Sequence, residues 1–523
     1  MKDFNYRTSL KLLCLLALYC STPMADTVVK VQQGSLQGVI ENDIRVFKGI
    51  PFAKPPIGDL RWRAPQPLDN WDGVKKALEF APSPLQAGNP PSGLSEDCLY
   101  LNIWTPAKTA DAKLPVLVWI YGGGFSFGSS SDPLFDGHKL AEKGVLVVTI
   151  AYRVGQLGFL AHPELSRESA VHVSGNYGLL DQIAALEWVQ QNIEAFGGDP
   201  KKVTIFGESA GGISVSMLAA SPQAKGLFSG AISQSGGSFG PTRSTTYPGE
   251  NMISLQQAEA EGVAYVKQFG ASSIAELRKM DAERFIPQGW SLPGGWPIVD
   301  GYVIPDDQYK LYEQGKFNDV PVLVGYNSDE GASFVWHDDP KRFIADVNSR
   351  FGPFAAPLIK AYSIREDRIT RSARDLIRDA AFGWHTWSWA KLQARHGKSP
   401  AYFYVFDQHP QYPQGSPKSG DGSPHGQEIA YVFQQLDPNH SGTSKSDLAI
   451  SEAMATYWTN FAKYGNPNGK EVPHWPAFDD TTERVMYFKQ QPQIGPLLDK
   501  KSIEVLDQYF HWRRTPEGGT NKN

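Results

Sequence analysis

Cysteine is scarce in this chain of 523 residues, which contains only Cys14, Cys20 and Cys98. Two of the three lie within residues 1–25, a segment with the features of a cleaved leader. A mature chain that keeps only Cys98 contains no intrachain disulfide. An exported protein of this kind depends for its stability on the size of its core. The length of the chain and its 41% of hydrophobic residues are sufficient for a large core.

Long apolar runs are also missing. The run Leu12 to Cys20 is much shorter than the roughly 20 residues of a membrane-spanning helix, so no membrane span is expected. It follows basic residues near the start of the chain and precedes the short run Ser21 to Ala25. This order predicts a secretory signal peptide over residues 1–25, with cleavage after Ala25 and a secreted or periplasmic product. A lipid anchor on Cys20 remains an alternative.

A surplus of basic residues is absent too. The net charge is −5, and the leader carries Lys2, Arg7 and Lys11 against Asp3, so the mature chain is more acidic, at −7. Nucleic acid is therefore not an expected partner, because such proteins show a basic surplus or a basic block. We find no internal repeat, and we expect a single domain over residues 26–523. Nothing in the sequence indicates an oligomeric state.

The regular part of the chain alternates apolar strands with helices, which predicts an α/β fold with a large, mostly parallel central sheet flanked by helices. Thr27 to Ile44 predicts a small N-terminal antiparallel hairpin region, and segments 240–300 and 337–395 predict helical insertions. The predicted central strands are Pro115 to Tyr121, Val145 to Tyr152, Val203 to Phe206, Gly230 to Ser233, Val320 to Gly325 and Tyr402 to Phe406.

The strand Val203 to Phe206 breaks on Gly207-Glu208-Ser209-Ala210-Gly211 and continues into a helical pattern at Ile213 to Ala220. A G-x-S-x-G pentapeptide in this context indicates a nucleophile elbow, in which a strained turn exposes the serine hydroxyl above the sheet. An ordinary glycine-flanked turn is the alternative interpretation. The strand before it and the helix after it favour the elbow.

A serine hydroxyl is a weak nucleophile, so it needs a base and a third group that orients the base. Elbow folds place the acid and then the histidine after the serine. Asp329 and Glu330 both fit the acid, since they follow the strand Val320 to Gly325, although either carboxylate equally fits a helix cap. His425 ends an irregular run just before a helical pattern and is favoured as the base over His409.

The glycines Gly122, Gly123 and Gly124 follow another apolar strand. Consecutive glycines at a strand end allow backbone N–H groups to face a ligand, and the third donor is the N–H of Ala210. The pattern predicts an oxyanion hole, with a flexible glycine loop as the alternative.

Taken with these motifs, the chain resembles the type B carboxylesterase family, which includes cholinesterases, bacterial para-nitrobenzyl-esterase-like enzymes and the non-catalytic neuroligins. The resemblance covers nearly the whole mature chain. Its motifs are Phe47 to Ala53, Leu60 to Trp62, Ser95 to Asn102, Tyr121 to Phe125, Asn176 to Gln182, Phe196 to Pro200 leading into the elbow, Asp329 to Gly331, and His425-Gly426.

This resemblance implies an α/β-hydrolase fold and a serine carboxylesterase that acts on a small-molecule ester and uses no metal or cofactor. It assigns the nucleophile to Ser209, the acid to Glu330 and not to Asp329, and the base to His425. It assigns the oxyanion donors to Gly123, Gly124 and Ala210, lining positions to Glu208 and Phe125, and ion pairs to Arg61 with Glu96 and Arg153 with Asp199.

Two departures from the family limit what the resemblance implies. Pro84 stands where members often carry a cysteine that pairs with the one at position 98, so Cys98 is expected to be a buried free thiol. The loop Leu85 to Asp97 lacks the tryptophan with which cholinesterases hold a quaternary ammonium, so choline esters are not the expected substrates.

Aromatic residues in the second half of the chain suggest aryl or hydroxycinnamoyl (feruloyl-type) esters as the specific substrates, or else they belong to the core. They are Trp290, Trp296, Phe334, Trp336, Trp384, Trp387 and Trp389. A non-catalytic binding protein on the same scaffold is the alternative of another class. It is disfavoured because the positions of the serine, acid, histidine and oxyanion glycines are all occupied by competent residues.

Overall fold

The computed structural model describes residues 27–242, 249–286, 295–335, 339–410, 414–416, 418 and 420–520. The predicted signal peptide and its cleavage site, together with Trp290 and Trp336, lie outside the described residues.

In these ranges the strands form one large sheet and two small ones. Their bounds are β1 Val28–Val31, β2 Gly34–Gln37, β3 Val39–Glu41, β4 Ile44–Pro51, β5 Val74–Lys76, β6 Ser83–Pro84, β7 Leu94–Ser95, β8 Tyr100–Thr105, β9 Leu114–Ile120, β10 Leu146–Ile150, β11 Gly198–Glu208, β12 Gly230–Gln234, β13 Val322–Asn327, β14 Ala401–Phe406, β15 Arg484–Lys489 and β16 Gln491–Pro496.

Within the described residues, eleven strands pair in the order β16-β15-β14-β13-β12-β11-β9-β10-β8-β4-β3. The strands from β10 to β15 pair in parallel, and the outer strands pair antiparallel. The predicted mostly parallel central sheet is thus confirmed. The neighbouring central strands β9 and β10 are apolar except for one threonine, because helices cover both faces of a parallel sheet and bury side chains of both orientations.

The N-terminal hairpin is confirmed as the antiparallel pair β1 and β2, to which β5 adds in parallel. The helices are α1 His138–Glu142, α2 Gly155–Phe159, α3 Pro163–Glu168, α4 Tyr177–Asn192, α5 Ala210–Ala220, α6 Leu255–Gln268, α7 Ile274–Leu277, α8 Gln308–Glu313, α9 Pro340–Phe351, α10 Ala355–Ala361, α11 Ile369–Arg378, α12 Trp384–His396, α13 Ile429–Val432, α14 Lys445–Tyr464, α15 Lys500–Arg513 and α16 Pro516–Thr520. Across the described ranges, no helix has both the length and the apolar character needed to cross a membrane.

The order of the strands determines where a site can form. The chain runs from β9 to β10 on one side and then returns to β11 on the other side of β9. Ligands of open parallel sheets bind in the crevice beyond the carboxyl ends of strands at such a reversal. The glycine triplet follows β9 and Ser209 follows β11, so both motifs lie at this crevice.

Candidate active site

Ser209 occupies a sharp turn between β11 and α5. Its backbone angles are φ 55° and ψ −124°, an unfavourable combination for an L-residue. The flanking glycines explain how the turn forms: a Cβ on Gly211 would overlap the carbonyl oxygen of Ile120, and one on Gly207 would lie 2.6 Å from the same atom. The strand and the helix therefore approach each other closely, and the half-buried serine stands at the turn between them.

Glu330 is fully buried and contacts His425 directly. Its Oε2 lies 2.5 Å from His425 Nδ1. Its other oxygen, Oε1, accepts hydrogen bonds from Ser235 Oγ at 2.5 Å and from the backbone N–H of Asn327 at 2.6 Å. With one oxygen held by two donors, the other is aimed at the imidazole. This arrangement fixes the orientation of the ring.

Asp329, which the sequence pattern could not distinguish from Glu330, has different partners. Its carboxylate pairs with Arg371 at 3.2 Å and with Arg374 at 3.5 Å. The alternative base, His409, pairs with Asp407 at 3.3 Å. Neither alternative takes part in the Glu330 contact.

The second ring nitrogen of His425, Nε2, lies 3.2 Å from Oε1 of Glu208, the residue before Ser209. The imidazole thus lies at the elbow. The contacts of the described residues include no hydrogen bond between His425 and the Ser209 hydroxyl. In enzymes without bound substrate such bonds are often long and tighten only in the complex.

Two phenylalanine rings enclose the imidazole of His425. Phe382 stacks on it with ring centres 4.7 Å apart, and Phe334 meets it edge-on at 5.0 Å. Phe382 lies on a π-helical turn, Asp379–Gly383, between α11 and α12. Such turns often occur at functional sites. The rings restrict rotation of the imidazole out of the plane that Glu330 sets.

Three buried carboxylates surround His425: Glu208, Glu330 and Glu428. Glu428 accepts hydrogen bonds from Gln234 Nε2 at 3.2 Å and from Asn327 Nδ2 at 2.5 Å. The sequence analysis missed Glu428, as well as Ser235 and Asn327. The sequence contains one signal that could have identified Glu428, because this residue follows His425 by three positions on the same turn.

These carboxylates control the charge of the imidazole. Burial alone lowers the pKa of His425, but the negative charges of Glu208, Glu330 and Glu428 outweigh it and raise this pKa from 6.5 to about 9. Burial raises the pKa of Glu208 to about 8, with His425 opposing the shift and the two other carboxylates adding to it. A proton on His425 is thus held more tightly than on an isolated histidine.

We therefore predict that Glu208→Gln moves the acid limb of the pH profile of kcat/KM to lower pH. A base must be neutral, and removing the charge beside Nε2 lowers the pKa of His425 from about 9 towards 6.5. The measurement is kcat/KM for a p-nitrophenyl ester between pH 5.5 and 10. Glu187→Gln, on the exposed face of α4, is the control and leaves the limb in place. If the acid limb of Glu208→Gln stays in place or moves to higher pH, the effect assigned to the Glu208 charge on the pKa of His425 is contradicted.

The glycine triplet forms a tight turn against the elbow. Gly123 and Gly124 have φ of 99° and 59°, and the carbonyl of Gly123 accepts hydrogen bonds from the N–H groups of Ser126 and Phe127 at 3.0 and 3.2 Å. A Cβ on Gly122 would lie 3.0 Å from that of Ser209. Ala210 begins α5, where backbone N–H groups lack helical partners. The glycine turn and the first residue of α5 thus both adjoin Ser209.

The predicted aromatic residues divide into two groups. Trp384, Trp387 and Trp389 are fully buried in the core, as the alternative interpretation predicted. Phe334 is 45% exposed beside His425. Phe125, which follows the glycine triplet, is fully buried, and its ring meets that of Trp296 at 4.8 Å.

Of the two ion pairs that the resemblance implies, the structure contains one, and the prediction of the other is wrong. Arg61 pairs with Glu96 at 2.6 Å. Arg153, by contrast, pairs with Asp181 on α4 at 2.6 Å and not with Asp199. Asp199 instead accepts a hydrogen bond from the nearby Lys201 N–H at 2.9 Å. Cys98 is buried and free, as expected.

Comparisons with known proteins match almost the entire length of this chain, and the matches agree on one family. The model of a family described as the carboxylesterase family matches residues 25–506. The chain is 40% identical to fumonisin B1 esterase of Sphingopyxis macrogoltabida, with 89% of this chain and 86% of that protein covered. It is 35% identical to para-nitrobenzyl esterase of Bacillus subtilis, with 90% and 96% covered. A solved PNB esterase structure aligns with a TM-score of 0.79 at 33% identity, covering 92% of this chain and 99% of that one.

Proposed function

Because the chain belongs to the carboxylesterase family and is a carboxylic ester hydrolase with the α/β-hydrolase fold, we propose that it acts through an acyl-enzyme on Ser209. The observation that carries this proposal is the 2.5 Å contact between Glu330 and His425, made beside the strained turn of Ser209. A carboxylate, an imidazole and an activated serine are the groups that acyl transfer requires.

In the first half of this reaction, His425 takes the proton of Ser209 as the hydroxyl attacks the ester carbonyl. Glu330 holds the Nδ1–H tautomer and stabilises the imidazolium that forms. The N–H groups of Gly123, Gly124 and Ala210 receive the negative oxygen of the tetrahedral intermediate. His425 then protonates the departing alcohol, which leaves an acyl group on Ser209.

In the second half, His425 removes a proton from water, which attacks the acyl group through a second tetrahedral intermediate. The carboxylic acid departs and Ser209 regains its proton. This sequence needs only the side chains and amides of the protein and a water molecule.

The test is hydrolysis of p-nitrophenyl esters of increasing acyl length by the purified chain, together with labelling by an organophosphate. We expect turnover and stoichiometric labelling. A folded protein that neither releases p-nitrophenolate nor reacts with the organophosphate would instead support the binding-protein alternative.

For the substrate we propose an ester with an aryl group, because the exposed ring of Phe334 lies beside His425. Phe334→Ala should raise KM for methyl ferulate about 2- to 10-fold, the range of one aromatic contact, and leave KM for p-nitrophenyl acetate less affected. Tyr464→Ala removes another exposed ring, at the end of α14, and is the control. Equal effects on both esters would count against an aryl subsite.

The same panel should include p-nitrobenzyl acetate and fumonisin B1, since relatives of this chain are named for those activities. Faster turnover of fumonisin B1 than of methyl ferulate would replace the aryl proposal with a fumonisin-type substrate.

We also propose that the enzyme is exported, on the strength of the leader pattern in residues 1–25. Sequencing the N-terminus of the protein produced in a secreting host tests this, with Asp26 as the expected first residue.

A further inference from the structure

Four serine hydroxyls form a closed hydrogen-bonded ring close to the turn Gly123–Phe127, which the proposed function makes the oxyanion turn. The distances are 2.7 Å between Ser83 and Ser129, 2.7 Å between Ser129 and Ser131, 2.9 Å between Ser131 and Ser92, and 3.0 Å between Ser92 and Ser83. In such a ring each hydroxyl donates once and accepts once, so the bonds strengthen one another. The ring joins the loop 83–95 to the segment 128–131.

Gln86, on the same loop, makes a second connection. Its Nε2 donates to the carbonyl oxygen of Gly128 at 2.7 Å, and its Oε1 accepts from the Gly128 N–H at 2.7 Å. The remaining Nε2 hydrogen bonds to the carbonyl of Pro84 at 2.9 Å. The Gln86 side chain is buried, so both donors and the acceptor of its carboxamide are used inside the protein.

Gly128 directly follows the oxyanion turn. It has φ of 134°, and a Cβ there would overlap the ring of Tyr121. A Cβ on Gly123 would overlap the carbonyl oxygen of Phe127, the residue before Gly128. Because these backbone groups are in contact, a displacement of Gly128 moves Phe127 against Gly123. The position of the N–H donors thus depends on what holds Gly128.

We propose that Gln86 is a positioning residue for the oxyanion hole, fastened in place by the ring of serines. It holds Gly128 by both backbone groups and so keeps the turn Gly123–Phe127 against Ser209. Within the described residues Cys98 is a free thiol, so no disulfide ties its neighbourhood to this loop. This proposal rests on the proposed function, because it gives Gln86 its role through the oxyanion hole.

The test compares Gln86→Met, which keeps the length of the side chain and removes its hydrogen bonds, with Gln66→Met at an exposed position. We measure kcat and KM for p-nitrophenyl acetate and the affinity of an aryl trifluoromethyl ketone. This ketone forms a hemiketal on the serine and places an oxyanion in the hole. A displaced donor should lower kcat about 10- to 100-fold and weaken the ketone in parallel, with KM nearly unchanged.

Gln86→Glu retains the acceptor for the Gly128 N–H and loses the donor to the Gly128 carbonyl, so its kcat should fall between those of wild type and Gln86→Met. It also supplies the test if Gln86→Met does not fold. The proposal would be overturned if the folded Gln86 variants kept the wild-type kcat and ketone affinity. It would also be overturned if KM rose while kcat stayed at the wild-type value. Turnover that persists in Ser209→Ala refutes the proposed function instead, so the two failures are distinguishable.

Discussion

Ser209→Ala is expected to lower kcat/KM for p-nitrophenyl acetate by about 10⁵- to 10⁶-fold, the usual cost of removing the nucleophile of a serine hydrolase. The hydroxyl that is removed is half-buried and makes no hydrogen bond with His425 among the described contacts. Alanine accepts the same backbone strain as serine. The thermal midpoint should therefore remain close to that of the wild type.

Ser216→Ala is the matched control. Its hydroxyl bonds within α5 to the carbonyl of Ile213 at 2.8 Å, and its removal should leave kcat/KM unchanged. The measurements are steady-state kinetics and a thermal unfolding curve for each variant. If the Ser209→Ala variant is folded and still active, the assignment of Ser209 as the nucleophile is refuted.

Glu330→Gln should lower kcat about 10³- to 10⁴-fold at neutral pH. The amide oxygen would keep the bonds from Ser235 and Asn327, which leaves the NH₂ group facing Nδ1 of His425. That nitrogen must then accept a hydrogen bond, so the proton moves to Nε2. An imidazole in this tautomer cannot take the proton of Ser209.

Asp329→Asn is the informative control, because the sequence pattern alone makes residues 329 and 330 equivalent. Its carboxylate pairs with Arg371 and Arg374, and its contacts among the described residues do not include the imidazole of His425. Loss of this buried charge should lower the thermal midpoint while kcat stays within about tenfold of wild type, since ion pairs that act on structure alone affect stability. A larger kcat loss in Asp329→Asn than in Glu330→Gln would reverse the assignment of the acid.

The central strands could be predicted because burial on both faces leaves a continuous apolar run. The sequence predicts a strand at Val320 to Gly325, and the structure has β13 at Val322–Asn327. The edge strand β16 lies outside the strands that the sequence predicts. β16 is largely exposed, and its polar sequence carries no apolar run. An edge strand such as β16 is stabilised by hydrogen bonds to the neighbouring strand β15, and its own sequence does not show that this neighbour exists.

Side-chain partners were the hardest to predict. Asp181 and Asp199 are both acidic residues beyond Arg153, and only the packing of α4 brings Asp181 within 2.6 Å. Likewise, Ser235 lies 95 positions from the Glu330 carboxylate that it donates to. Trp384, Trp387 and Trp389 were candidates for a pocket, but aromatic spacing on a helix does not reveal whether a face meets core or cavity.

The most direct test is mass spectrometry after reaction with diethyl p-nitrophenyl phosphate, which phosphorylates an activated serine and releases p-nitrophenolate. The account predicts one diethylphosphoryl group per chain, located on the peptide that contains Ser209, with no label on Ser209→Ala and loss of esterase activity in proportion to labelling. A label on another residue, or an unlabelled chain that still hydrolyses esters, would contradict it.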